Sequence, residues 1–167
     1  YSGAGDGYVY KTSNNWITTQ AAAIASGAAA IAITATVSAE DNGPDSDIYR
    51  LFLPFDTSAL PAGAIINSAT LSIYVTASAS GDNDGVDYIN IVQTTQADST
   101  TLITADYNEA GATTTPTTGA TAIDISSGIT TGAYNTFTLN STGLVWITKS
   151  GVTSSCGTTA GVTCLGL

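Results

Sequence analysis

The stretch that decides the fold is Ile48–Thr76, IYRLFLPFDTSALPAGAIINSATLSIYVT, which reads as two strand patterns joined by a turn. In the second arm Leu71, Ile73 and Val75 alternate with Ser72, Tyr74 and Thr76, the period-2 pattern of a half-buried strand. In the first arm Tyr49, Leu51, Leu53 and Phe55 fall on one side, and Arg50, Phe52 and Pro54 on the other. Between the arms Pro61 fixes φ and Gly63 tolerates positive φ, so the chain can change direction within Leu60–Ala64. Two neighbouring strands with one greasy face each need a second sheet to cover them. The expected fold is therefore all-β, a jelly-roll-like antiparallel β-sandwich.

The rest of the chain extends this pattern. Tyr8-Val9-Tyr10 reads as a first strand and Trp16-Ile17-Thr18-Thr19 as a second. Trp16 is either a partly buried core residue or an exposed platform for a sugar. Ala21–Ala25 has helical propensity, but Ser26-Gly27 interrupts it, and Ile31, Ile33, Ala35 and Val37 then alternate as a strand. Further strands are expected at Tyr88–Gln93, with Ile89 and Ile91 inward, at Thr121–Ile125, at Tyr134–Leu139 and from Val162 onward. Thr94–Ala120 is Thr-rich and poorly patterned, with Leu102, Ile103 and Tyr107 as anchors. A segment that long implies either a contact surface or short strands without clear periodicity. Asn140-Ser141-Thr142 reads either as a glycan-acceptor triplet or as an N-cap for the turn carrying Leu144, Trp146 and Ile147.

At 167 residues the chain fits one domain, which can bury roughly two-thirds of its unfolded surface. Thirteen acidic residues against three basic ones (Lys11, Arg50, Lys149) give a net charge of −10. That field repels nucleic-acid phosphates and anionic membranes, and leaves divalent cations, neutral sugars and other proteins as partners. No run of about 20 strongly apolar residues is present, so no membrane span is expected. Histidine is absent, which removes the usual acid–base group near neutrality. Charged residues make up only 10% of the chain, so solubility rests on hydroxyls, amides and backbone.

Cys156 and Cys164 flank a short Gly- and Thr-containing loop. They are expected to form a disulfide, placing the protein in an oxidising compartment; two free thiols are the alternative. Two acidic turns, Glu40–Asp47 (EDNGPDSD) and Ser80–Asp87 (SGDNDGVD), offer hard oxygen ligands on tight turns. Asp41, Asp45, Asp47, Asp82, Asp84 and Asp87 are thus candidate Ca²⁺ ligands, although neither turn has EF-hand spacing.

Tyr49-Arg50-Leu51-Phe52-Leu53-Pro54-Phe55-Asp56, then Ser58-Ala59-Leu60-Pro61-Ala62-Gly63-Ala64 and Ile66–Val75, resemble the centre of the disaggregatase-related (DNRLRE) β-sandwich domains. Asp6-Gly7-Tyr8-Val9, Leu144-Val145-Trp146-Ile147 and Cys164-Leu165-Gly166-Leu167 follow in that family's order. The resemblance implies a jelly-roll module of secreted, cell-surface or virus-particle proteins. Some members of the family bind polysaccharide, and none shares catalytic residues that could be carried over. It also implies further strands after Leu167, so residues 1–167 form one domain whose last strands lie beyond it or come from another chain.

Glycoside hydrolysis needs two carboxylates across a cleft, and nothing in the spacing of Asp56, Asp98, Asp106, Glu109 and Asp124 pairs them. The expected function is a non-catalytic structural or adhesive module on an extracellular or particle surface, such as a filament, surface layer or virus coat. It would work through self-association or contact with neighbouring coat proteins, with Phe52 as a contact residue. The alternative is carbohydrate binding, with Tyr74 and Tyr88 as the platform.

Overall fold

The first arm of the central stretch forms one long strand, and the larger sheet is arranged along it. In this computed structural model the described residues are 5–30, 34–41, 43–80, 87–111 and 114–167. The long strand is β4 (Ser46–Asp56). Along one edge it pairs with β1 (Gly7–Ser13), which pairs in turn with β2 (Gly27–Ala30). Along the other edge two strands lie in tandem. The first is β3 (Ser38–Asp41), against Ser46–Tyr49; the second is β10 (Val162–Gly166), against Phe52–Asp56. The short strand β7 (Val92–Gln93) closes the order β2-β1-β4-β10-β7. A second sheet pairs β5 (Thr70–Val75) with β9 (Ala133–Thr138), and a third pairs β6 (Tyr88–Ile89) with β8 (Ile123–Asp124). All pairings are antiparallel. The protein is all-β, as its alternating pattern predicts.

The two arms of Ile48–Thr76 are both strands, but they are not neighbours in one sheet. β4 lies in the larger sheet and β5 in the smaller. They meet through their side chains, because Leu51 and Leu53 of β4, Leu71 of β5, Phe137 of β9 and Leu165 of β10 share one core. Each arm is thus part of the other's cover. The connecting segment is longer than the roughly two to five residues of a hairpin loop, and it joins two different sheets instead.

β4 is buried on both faces. Its other face joins Val9, Ala25, Ile48, Phe52 and Tyr107 in a second core. Phe52 is fully buried there, so the expectation that it contacts a neighbouring molecule is corrected. The cover comes from Trp16, Ala22 and Ala25 and from the Thr94–Ala120 segment, whose described residues include no named strand. The segment turns through a 3₁₀ helix, Thr104–Glu109. There Asp106 accepts hydrogen bonds from the Ile103 N–H (2.8 Å) and the Ala97 N–H (3.2 Å). Of the three expected anchors, Tyr107 is fully buried and Ile103 is exposed, while Leu102 packs against the second core.

Trp16–Gln20 is a short helix, α1, rather than a strand. Asn15 caps it by accepting from the Thr18 N–H at 3.0 Å. Trp16 is partly buried against the second core, the first of its two readings. A second short helix, α2 (Ser141–Val145), is capped by Asn140 through the Gly143 N–H at 3.0 Å. Of the expected Ala-rich strand, Ile31 and Ile33 lie outside the described residues, and Ala35 and Val37 are not in a strand.

The last strand is internal. β10 has β4 on one side and β7 on the other, and Leu51 and Leu167 exchange both backbone hydrogen bonds (2.9 and 3.1 Å). β7 pairs with β10 at Leu165 and Gly166. That exchange also fixes the direction of every N–H along β4. Leu51 and residues two apart from it point toward β10 and β3, whereas Phe52 and Pro54 point toward β1. Since β1 ends opposite Phe52, Pro54 removes a donor only where none is needed.

Candidate functional site

A cleft of about 510 Å³ opens where the larger sheet loses a neighbour. Residues 88–93 run beside β10 at Val92 and Gln93, then leave the larger sheet to pair as β6 with β8. Beyond Val92, therefore, nothing among the described residues pairs with the outer edge of β3. The cleft is lined by Val37–Asp41, by Ile48, Tyr49 and Arg50 of β4, and by Asp87–Asn90. Ile89, Val92 and Ile125 supply apolar lining.

The backbone alternation set by Leu51 reaches β3. Tyr49 and Asp47 direct their groups at Ser38 and Glu40, the residues opposite them in register. Ala39 is left with its N–H and C=O facing the cleft. Strand edges of this kind are templates for pairing.

The rim is acidic. Glu40 and Asp41 come from the first acidic turn and Asp87 from the second, so the structure brings the two turns to one cleft. Asp41 accepts from the Ser46 hydroxyl (2.6 Å) and Asp87 from that of Ser80 (3.0 Å). Arg50 also borders the cleft, but its guanidinium is committed to the second core. It donates to the Tyr107 carbonyl (2.6 Å) and the Gln20 carbonyl (2.9 Å) and lies 4.1 Å above the Tyr107 ring. Burial holds the Arg50 pKa below its ordinary value and pushes that of Tyr107 up. The side-chain oxygen of Asn90, another lining residue, is enclosed without a hydrogen-bond partner.

Of the other candidate Ca²⁺ ligands, Asp47 accepts from the Thr12 hydroxyl at 2.5 Å and Asp45 is exposed on its turn. Asp82 and Asp84 lie outside the described residues. Among the described residues no three acidic or sulfur ligands converge as a metal site.

Tyr74 and Tyr88, expected to share a platform, belong to different sheets. Tyr88 lines the cleft. Tyr74 meets Tyr134 across β5 and β9, ring centroids 5.2 Å apart and edge to face. The same outward face carries Thr70 opposite Thr138 and Ser72 opposite Thr136, whose hydroxyls are 2.8 Å apart. Tyr74 and Tyr134 are 52% and 69% exposed, and no charge interrupts this ladder. Tyr134 was hidden in the sequence because its partner is fixed only by strand register; its alternation with Asn135 and Thr136 was the available signal.

Cys156 and Cys164 form a disulfide, with Cα atoms 6.0 Å apart. Among the described residues no helix is long and apolar enough to cross a membrane. No family model, curated protein or solved structure matches this chain. The fold and the two surfaces define an all-β protein with a strand-edged cleft and an uncharged tyrosine ladder.

Proposed function

We propose that the chain is a non-catalytic structural or adhesive module of an extracellular or particle surface, built on a jelly-roll sandwich and acting through protein–protein contacts. The observation that carries this reading is the outer face of β5 and β9. On a chain of net charge −10 it is a charge-free run of cross-strand Thr, Ser and Tyr pairs. Contact between like-charged copies is least opposed on such a face, and tyrosine is enriched where protein surfaces meet. The disulfide supports the extracellular setting, as does the resemblance of Tyr49–Val75 to surface-protein domains.

Carboxylates that a hydrolase would need are engaged locally instead. Asp56, Asp98 and Asp124 accept hydrogen bonds from residues two positions on, Ser58, Thr100 and Ser126, and Asp106 caps the 3₁₀ turn.

Light scattering at micromolar concentration tests the reading. Native protein is expected as assemblies that the double variant Tyr74→Ala, Tyr134→Ala reduces to monomer. A native protein that stays monomeric up to millimolar concentration sinks it. The exposed Tyr74 ring beside the Ser72 and Thr136 hydroxyls also favours a second reading, binding of neutral polysaccharide. On a glycan array that reading requires a signal that Tyr74→Ala abolishes.

A further inference from the structure

We infer that the cleft between β3 and β6 is a strand-accepting site, taking an extended, lysine- or arginine-bearing segment of a partner protein as an added strand on β3. This deepens the contact-module reading and rests on it, but it names a different surface from the tyrosine ladder. Three observations converge. Among the described residues β3 pairs only with β4, and Ala39, whose N–H and C=O point away from β4, lines the cleft. Residues 87–90, which have left the larger sheet, line the same 510 Å³ cleft. The lining then defines what enters. Ile89, Val92 and Ile125 suit the alternate apolar side chains of an extended peptide, while Asp41 and Asp87 at the rim attract cations.

Charge complementarity selects this occupant over a second copy of the chain, which offers only Lys11, Arg50 and Lys149 against 13 acidic residues. It also selects against a neutral sugar, which has no use for an acidic rim. Added strands bind through main-chain hydrogen bonds, with alternate side chains giving specificity. The chemistry required is thus a β-prone segment carrying basic residues on its outward positions.

The test uses the whole protein and three synthetic octapeptides of alternating valine and threonine. One carries two lysines, one two glutamates, and one the two lysines with prolines at alternate positions. The lysine peptide is expected to bind saturably and to slow amide hydrogen exchange at Ala39. The glutamate and proline peptides should bind at least tenfold more weakly. Asp41→Asn and Asp87→Asn keep their acceptor oxygens for Ser46 and Ser80, and each should weaken the lysine peptide by about two- to fivefold, the range of an exposed ion pair. Ala39→Pro removes the edge donor without touching the β3–β4 bonds, and should weaken the lysine peptide at least tenfold while the melting temperature holds. Equal binding of the lysine and glutamate peptides would overturn the inference. So would an Ala39 amide already protected without peptide. Because assembly through Tyr74 and Tyr134 is read by light scattering, loss of the peptide result alone leaves the contact-module reading standing.

Discussion

Phe52 and Arg50 sit side by side on β4, and both are explained by what covers that face of the sheet. Phe52 lies opposite Gly7 on β1 and Gly166 on β10. Two residues without side chains flank it, and it fills the space they leave under Tyr107. A Cβ on Gly166 would press into the Leu51 carbonyl oxygen and the Thr94 methyl. Phe52→Ala should therefore cost about 3–5 kcal/mol in urea unfolding, with the particle size of the folded protein unchanged, which separates a core role from a contact role. Arg50→Leu keeps the bulk but leaves the Gln20 and Tyr107 carbonyls without their donor. Its expected cost is about 1–3 kcal/mol by the same measurement. Sequence alone placed Phe52 opposite Leu51 and Leu53 correctly, but it could not tell that this side is also covered. The cover includes the Thr94–Ala120 segment, which has no periodicity to announce it and is held by backbone bonds to Asp106 and by the Arg50 clamp.

At the scale of elements, strands with a clear alternation were legible and short pieces set by a single cap were not. Trp16-Ile17-Thr18-Thr19 is β-prone in composition, yet the Asn15 side chain satisfies the free Thr18 N–H and the segment becomes one helical turn. Asn140 does the same for α2 and also donates to the Thr118 carbonyl at 3.0 Å, tying the helix to the segment before β8. Asn140→Ala should lower stability by about 1 kcal/mol or somewhat more. Gly143→Ala should cost more than that, because the added methyl group would meet the Gly119 carbonyl. Guanidinium titration of both variants checks the order. The candidate cleft was partly legible as well. The acidic turns were visible as composition, but their convergence depends on β3 and residues 87–90 lying side by side, a relation no local pattern encodes. The Tyr74–Tyr134 ladder was missed for the same reason.

For the whole molecule, pH bounds stability on both sides. The carboxyls of Asp56, Asp98 and Asp124 are held below their ordinary 3.8 mainly by hydrogen bonds from Ser58, Thr100, and Ser127 with Ser126. A depressed carboxyl stabilises the fold fully above its unfolded pKa, and the contribution is lost as pH falls through the folded value. Tyr107 behaves in the opposite sense. Burial raises it above 10.0, so its contribution is intact below that pH and is lost as pH rises through 10.0 toward the folded value. Melting temperature against pH should thus show a plateau with an acid limb beginning near 3.8 and an alkaline limb beginning near 10.0. Tyr107→Phe should make the alkaline limb shallower, at a cost of about 1 kcal/mol for the lost bond to the Thr19 carbonyl. Reducing Cys156–Cys164, which are separated by 8 positions, should cost less than the ~3 kcal/mol of a 15-residue loop.

β1 and β10 come from opposite ends of the described chain, and both run antiparallel to β4. Gly7 and Gly166 flank the same residue of that strand, one on each side. Tension applied through these two points therefore acts across the strands and not along them. It opens the hydrogen bonds one after another, as a zipper opens, instead of shearing a whole row at once. Stretched from those ends the protein yields at low force, and a molecule that must carry load in a fibre would have to be gripped elsewhere on its surface.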